Sequence, residues 1–160
     1  MSHDDIISTL RSSPDAVQAL CQGLTDDQLR QRPLDGAEGE SGWSLLELIC
    51  HLRDSAQEDG VRIRRLVEED NPTLVPYDQE AWARDRNYNS DDPKKALVAM
   101  RAMITGLAYQ LENLSEQQWA RAGQHPERGA VSVLSIAEQC ANHDRDHLAQ
   151  MRGVREGLRP

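Results

Sequence analysis

Apolar residues recur at three- and four-residue intervals in four long stretches of the chain, and that spacing predicts four helices. The first covers about residues 4 to 23, with Ile6, Ile7, Leu10, Val17, Leu20 and Cys21 on one side. Pro14 falls inside it and predicts a kink or a restart. The second runs from about 45 to 69. Ser44 and Glu47 form a capping box at its start, and Leu45, Leu48, Ile49, Leu52, Ile63, Leu66 and Val67 make its apolar face. The third runs from about 93 to 113, capped by Asp91 or Asp92 and opened by Pro93, with Leu97, Met100, Ile104, Leu107, Ala108 and Leu111 aligned. The fourth runs from about 133 to 156 behind Ser132, with Val133, Ile136, Ala137, Cys140, Leu148 and Met151 at helical spacing.

No alternation of the strand type persists in the connectors, so the expected fold is all-α, a four-helix bundle formed by residues 1–160 as one domain. The connector from Asn71 to Asp92 is long. It contains Tyr77-Asp78-Gln79-Glu80-Ala81-Trp82, expected to be a short helix after Pro76. Such a connector crosses over a bundle or covers a site. Leu24-Thr25-Asp26-Asp27-Gln28-Leu29 is echoed by Leu114-Ser115-Glu116-Gln117-Gln118-Trp119. Each precedes a Ser-capped long helix, which suggests two helix pairs about a pseudo-two-fold axis.

The charge narrows the partners. A net charge of −9 opposes binding to nucleic acid or anionic lipid. No run approaches the roughly 18 apolar residues that span a membrane. The acidic start, Met1-Ser2-His3-Asp4-Asp5, does not read as a secretory signal, and a cytoplasmic location is expected. Cys21, Cys50 and Cys140 are widely spaced and read as buried free thiols.

The candidate chemistry lies in histidine. His143 and His147 are four residues apart, so their rings point the same way one turn apart on a helix. His51 lies in the second helix. Two imidazoles from one helix and one from another make a three-nitrogen site that leaves coordination positions open, the pattern of catalytic metal centres. A metal there can acidify a bound water or hold a thiolate.

Supporting groups follow from helix geometry. Glu47 lies one turn before His51 and either orients its ring or only completes the cap. Asp54 and Glu58 follow on a related face, near the metal or in surface salt bridges. Asp144 and Asp146 point about 100° away from the neighbouring histidines and are expected in solvent. Tyr77, Asp78 and Trp82 either shape a pocket mouth or pack the connector onto the bundle. His125 is expected exposed in a loop, and His3 sits at the terminus.

The segments Gly23-Leu24-Thr25-Asp26-Asp27-Gln28-Leu29 with Arg32-Pro33, Gly42-Trp43-Ser44 with His51-Leu52-Arg53-Asp54, Pro76 to Trp82, and Asn142-His143-Asp144-Arg145-Asp146-His147-Leu148-Ala149-Gln150 together resemble the DinB-like (DinB/YfiT) family. The resemblance covers nearly the whole chain. It implies a four-helix bundle with a divalent transition metal, commonly nickel or zinc, on His51, His143 and His147. It also implies a homodimer and a small-molecule substrate. Related branches transfer low-molecular-weight thiols such as bacillithiol, mycothiol or glutathione to electrophiles, and other members are described as hydrolases. The alternative is a metal-binding or stress-response helical module without catalysis. No particular catalytic residue is indicated.

Overall fold

Each helix starts where a side-chain oxygen accepts from backbone N–H groups that have no partner within the helix. The computed structural model describes residues 1–34 and 37–160. Helix α1 (His3–Cys21) starts at Ser2 and α2 (Asp26–Leu29) at Thr25, both with capping boxes. A 3₁₀ turn at Gly39–Gly42 leads to α3 (Leu45–Glu68), capped by Ser44 with Glu47 closing the box. Helix α4 (Gln79–Asp85) is capped by Asp78, and a 3₁₀ turn at Tyr88–Ser90 precedes α5 (Pro93–Glu112), capped by Asp92. Helix α6 (Glu116–Trp119) is capped by Ser115. Strands β1 (Ala122–His125) and β2 (Gly129–Ser132) form an antiparallel hairpin, and α7 (Val133–Glu156) follows directly, capped by Ser132.

The four long helices form the expected bundle. Helix α1 packs against α5 and α7, and α3 packs against the same two. Helices α1 and α3, consecutive among the long elements, therefore stand at opposite corners, and α3 is a neighbour of α7. The centre is filled by aliphatic side chains such as Ile6, Leu10, Leu46, Ile63, Ile104 and Met151, each at most 1% exposed. Burying each contributes roughly 1.5–3 kcal/mol relative to exposure. The echo seen in the sequence is matched locally. Each half has a long helix, a four-residue capped helix and a Ser-capped long helix. No helix among the described residues is long and apolar enough to cross a membrane.

Helix α1 continues through the buried Pro14, which excludes a restart there. One local expectation is corrected. Residues 122–132 contain a hairpin where only a connector was expected. Its first strand reads Ala-Gly-Gln-His, with Gly123 and His125 turned inward, so the alternation is there but carries no apolar signal. The hairpin also anchors the long connector. Gln124 N–H donates to Pro72 C=O at 2.8 Å, and Leu74 N–H donates to Gln124 C=O at 2.7 Å. This pins the chain before Tyr77 over one end of the bundle.

Ser44 joins two of these elements, because its hydroxyl also donates to Asn89 Oδ1 at 2.7 Å. Ser44→Ala should lower stability by about 1–2 kcal/mol, as cap losses do. This would be read as a fall in the urea midpoint at unchanged slope, and an unaltered midpoint would show that the box does not set the start of α3.

Candidate metal centre

The diagonal arrangement brings α3 and α7 side by side, and with them the three histidines. His143 Nε2 lies 2.8 Å from His51 Nε2 and 2.9 Å from His147 Nε2. The three rings meet edge to face, with centroids 4.3–4.8 Å apart. His51 and His147 are buried and His143 is half-buried. Trp43 packs on the His51 ring at 5.1 Å between centroids.

This environment rejects protons. Burial, and then the proximity of His143 and His147, pushes His51 down to about 2. Burial and His147 push His143 down to about 3. Neutral imidazole carries one N–H and one lone pair. The tautomer of His147 follows from its neighbour. Gln150 Nε2 donates to the Glu40 carbonyl at 2.7 Å, so Gln150 Oε1 is the acceptor that faces His147 Nδ1 at 2.9 Å. His147 therefore holds its proton on Nδ1 and aims a lone pair from Nε2 into the cluster.

Hydrogen bonding does not satisfy such a trio, because a proton on His143 Nε2 reaches one neighbour and leaves the other facing it without a proton. A cation serves all three. Two nitrogens each about 2.0–2.1 Å from one ion lie roughly 3 Å apart, close to the spacing seen here. The donor set thus fits a divalent transition metal, and these three residues could hold it.

A cavity of about 250 Å³ opens beside the cluster, with His143, Ser55, Tyr77, Arg62 and His125 in its wall. Ser55, Asp59 and Arg62 continue the face of α3 that starts with His51. Ser55 Oγ lies 3.4 Å from His51 Nε2 and 3.1 Å from the Tyr77 hydroxyl, a polar chain from the cavity to the cluster. Arg62 donates to Val75 C=O at 2.8 Å and lies 3.5 Å from Asp59. Asp59 Oδ2 accepts from the buried Cys140 thiol at 3.1 Å. Burial, reinforced by Asp59, holds that thiol well above its ordinary value, so it stays protonated.

The other candidates fall into place unequally. Tyr77 reaches the cavity and stacks on Trp82 at 4.2 Å, while Trp82 also carries the Arg86 guanidinium on its ring. Asp78 caps α4. The Glu47 carboxylate accepts from Ser44 N–H and from Arg32, so it serves the cap. Asp54 accepts from Arg53, Arg86 and the Tyr88 hydroxyl at 2.6–2.7 Å. Against the effect of burial, those bonds hold its carboxyl below the usual range. Glu58 pairs with Arg62. All three cysteines are buried and free.

Two expectations on exposure are overturned. His125 is buried in β1 and faces the cavity, because the hairpin folds back over the end of α3. Asp144 is buried, and burial pushes it up to about 7. A turn of 100° away from His143 leads into α1, which packs along α7, and not into solvent. The sequence reading also missed Glu40, Ser55 and Gln150. The last two lie four residues beyond His51 and three beyond His147, a spacing that could have marked them.

Comparison with known proteins agrees with this picture. A model of the DinB superfamily matches residues 9–151. YfiT of Bacillus subtilis (strain 168), provisionally named a metal-dependent hydrolase, is 27% identical over 134 residues, covering 84% of this chain and 72% of YfiT. OB0782 of Oceanobacillus iheyensis, named in the same way, is 30% identical over 126 residues, covering 79% and 73%. The solved YfiT structure, described as having an unusual four-helix bundle topology, superposes with a TM-score of 0.85 at 24% identity over 96% of this chain and 87% of that one. A mycothiol-dependent maleylpyruvate isomerase superposes with a TM-score of 0.73 at 11% identity, over 94% of this chain and 61% of the isomerase.

The lowered histidines set a pH dependence. In the unfolded chain they protonate near about 6.5, whereas in the folded metal-free protein they stay neutral to far lower pH. The unfolded state then binds more protons, and stability falls as pH drops from about 6.5 toward about 3. Urea unfolding of the metal-free chain between pH 7 and 5 should show this loss. His51→Ala should flatten it by up to about 1.4 kcal/mol per pH unit; an equal slope in both proteins would contradict the burial of a neutral ring.

Proposed function

The chain belongs to the DinB superfamily, and on that footing we propose that it is a metal-dependent enzyme acting on a small molecule, with His51, His143 and His147 as the metal ligands. The convergence of three ring nitrogens beside an open cavity carries this reading. Nickel or zinc suits the all-imidazole donor set. The cation, when bound, supplies Lewis acidity that lowers the pKa of a nucleophile, either a thiol or water.

The residues of the chain do the rest. Gln150 fixes the His147 tautomer, and Trp43 excludes water from the back of His51. Ser55 and Tyr77 offer hydroxyls along the path from cavity to cluster, where they can orient a substrate or pass a proton. Arg62 gives the cavity a positive charge and Asp59 a carboxyl that burial pushes up, a polar lining that suits a polar substrate. We favour transfer of a low-molecular-weight thiol to an electrophile over hydrolysis, because the isomerase that shares the fold is described as mycothiol-dependent. The open cavity weighs against a non-catalytic module, whose metal would sit in a closed shell.

Tag-free protein should carry close to one equivalent of transition metal by elemental analysis, and His51→Ala should carry almost none. With metal bound, a panel of low-molecular-weight thiols and monochlorobimane should give a rate at least about tenfold above His51→Ala for one thiol, since that variant lacks the group that activates the nucleophile. Absence of any such rate would remove the transferase reading. Metal-free protein whose melting temperature ignores added zinc and nickel would remove the metal reading as well.

We also propose a homodimer through the outer face of α3 and α5. There Val61 and Met103 are exposed beside Gly60 and Gly106, whose small size admits close approach. Light scattering should give twice the chain mass of 18.0 kDa, and Met103→Glu should return it to the single-chain value. A monomeric parent protein would dismiss this interface.

A further inference from the structure

The short turn before α3 brings a carboxylate to the histidines. Glu40 Oε1 lies 3.8 Å from His147 Nε2, and among the described residues it is the carboxylate within 4 Å of a nitrogen of the cluster. The position is built by three hydrogen bonds to two helices, α4 and α7. Glu40 N–H donates to Glu80 Oε1 of α4 at 2.9 Å. Its carbonyl accepts from Gln150 of α7 at 2.7 Å. Its other carboxylate oxygen, Oε2, accepts from Gln79 of α4. Oε1 is thereby turned toward the rings.

The backbone of the turn is tailored to this approach. Gly39 has φ +60°, and a Cβ there would come within 2.4 Å of the Glu80 carboxylate that holds Glu40. A Cβ on Gly42 would come within 2.1 Å of the Ala37 carbonyl. Both ends of the turn need glycine for Glu40 to stand where it does.

Charge supplies the reason. Three imidazole ligands bring no negative charge to a divalent cation, and a buried cation without a counter-charge is costly. The nearby acidic groups are otherwise engaged. Glu47 is held by Arg32, Asp54 by Arg53 and Arg86, and Asp59 by Arg62 and Cys140. Asp144 is buried on the side of α7 that packs against α1, away from the rings. Glu40 faces a ring nitrogen and is half-buried.

We propose that Glu40 is a fourth protein ligand of the metal centre, giving three imidazoles and one carboxylate and leaving for substrate the further positions of a five- or six-coordinate ion. This rests on the metal reading of the histidines. It assigns the Gly39–Gly42 turn to the site and makes Gln79 and Gln150 the residues that position its ligand.

The test uses the full chain, stripped of metal and titrated with zinc against a chromophoric chelator, and separately loaded with cobalt for visible absorption. Glu40→Gln keeps an acceptor for Gln79 and both backbone anchors but removes the charge. Its zinc affinity should fall about 10–100-fold, the range seen when groups supporting a metal site are lost, and its cobalt spectrum should change, while the melting temperature of the metal-free protein stays the same. Affinity within twofold of the parent would overturn the proposal. So would an unaltered cobalt spectrum, which would leave Glu40 outside the coordination shell whatever the affinity. If the parent chain itself takes up no zinc or cobalt and matches His51→Ala, the metal reading fails and Glu40 falls with it. Metal on the parent but not on His51→Ala, with Glu40→Gln indistinguishable from the parent, would sink this proposal alone.

Discussion

His143 Nε2 faces the ring nitrogens of His51 and His147 at hydrogen-bonding distance, and the trio has too few protons to serve both contacts. The remaining features of the site follow from that constraint. A buried lone pair without a partner costs free energy, so rings arranged in this way need either water or a cation. Burial removes the third way out, protonation, by holding His51 and His143 far below their ordinary values. The cluster is thereby a set of neutral bases prepared for a Lewis acid before one arrives.

The bundle meets the constraint through its corner arrangement. With α1 and α3 at opposite corners, α3 lies along α7, and residues 92 positions apart in sequence touch. A simple up-and-down order would have paired the long helices consecutively. The connectors then finish the site. The hairpin anchors the long connector, which sets Tyr77 over Ser55 and the cavity. The turn before α3 supplies Glu40 from the other side. Helices fix the nitrogens, and the connectors add the Glu40 carboxylate and the Tyr77 hydroxyl beside them.

The helices and their caps were legible because they rest on local rules. Ser44, Asp92 and Ser132 stand one residue before regular apolar spacing, and each caps a long helix as expected. The histidine trio was legible because its spacing is helical and the rings share a side with core residues. The hairpin was not, since Ala122-Gly123-Gln124-His125 offers a small residue and a histidine where a strand normally shows large apolar ones. Asp144 was misjudged because an angle measured from His143 says only that the side chain faces elsewhere. What lies there is α1, and that follows from which helices are neighbours. Glu40 had no periodicity to reveal it. It is placed by tertiary bonds to α4 and α7, and such contacts leave no trace in local spacing.

The account stands or falls on whether these rings share one ion. Diffraction from crystals of tag-free protein, collected on both sides of the zinc and nickel absorption edges, addresses that without reference to any reaction. The expected result is one anomalous peak bonded to Nε2 of His51, His143 and His147 at about 2.0–2.1 Å. Well-ordered rings with no peak among them, or a peak elsewhere in the molecule, would contradict it.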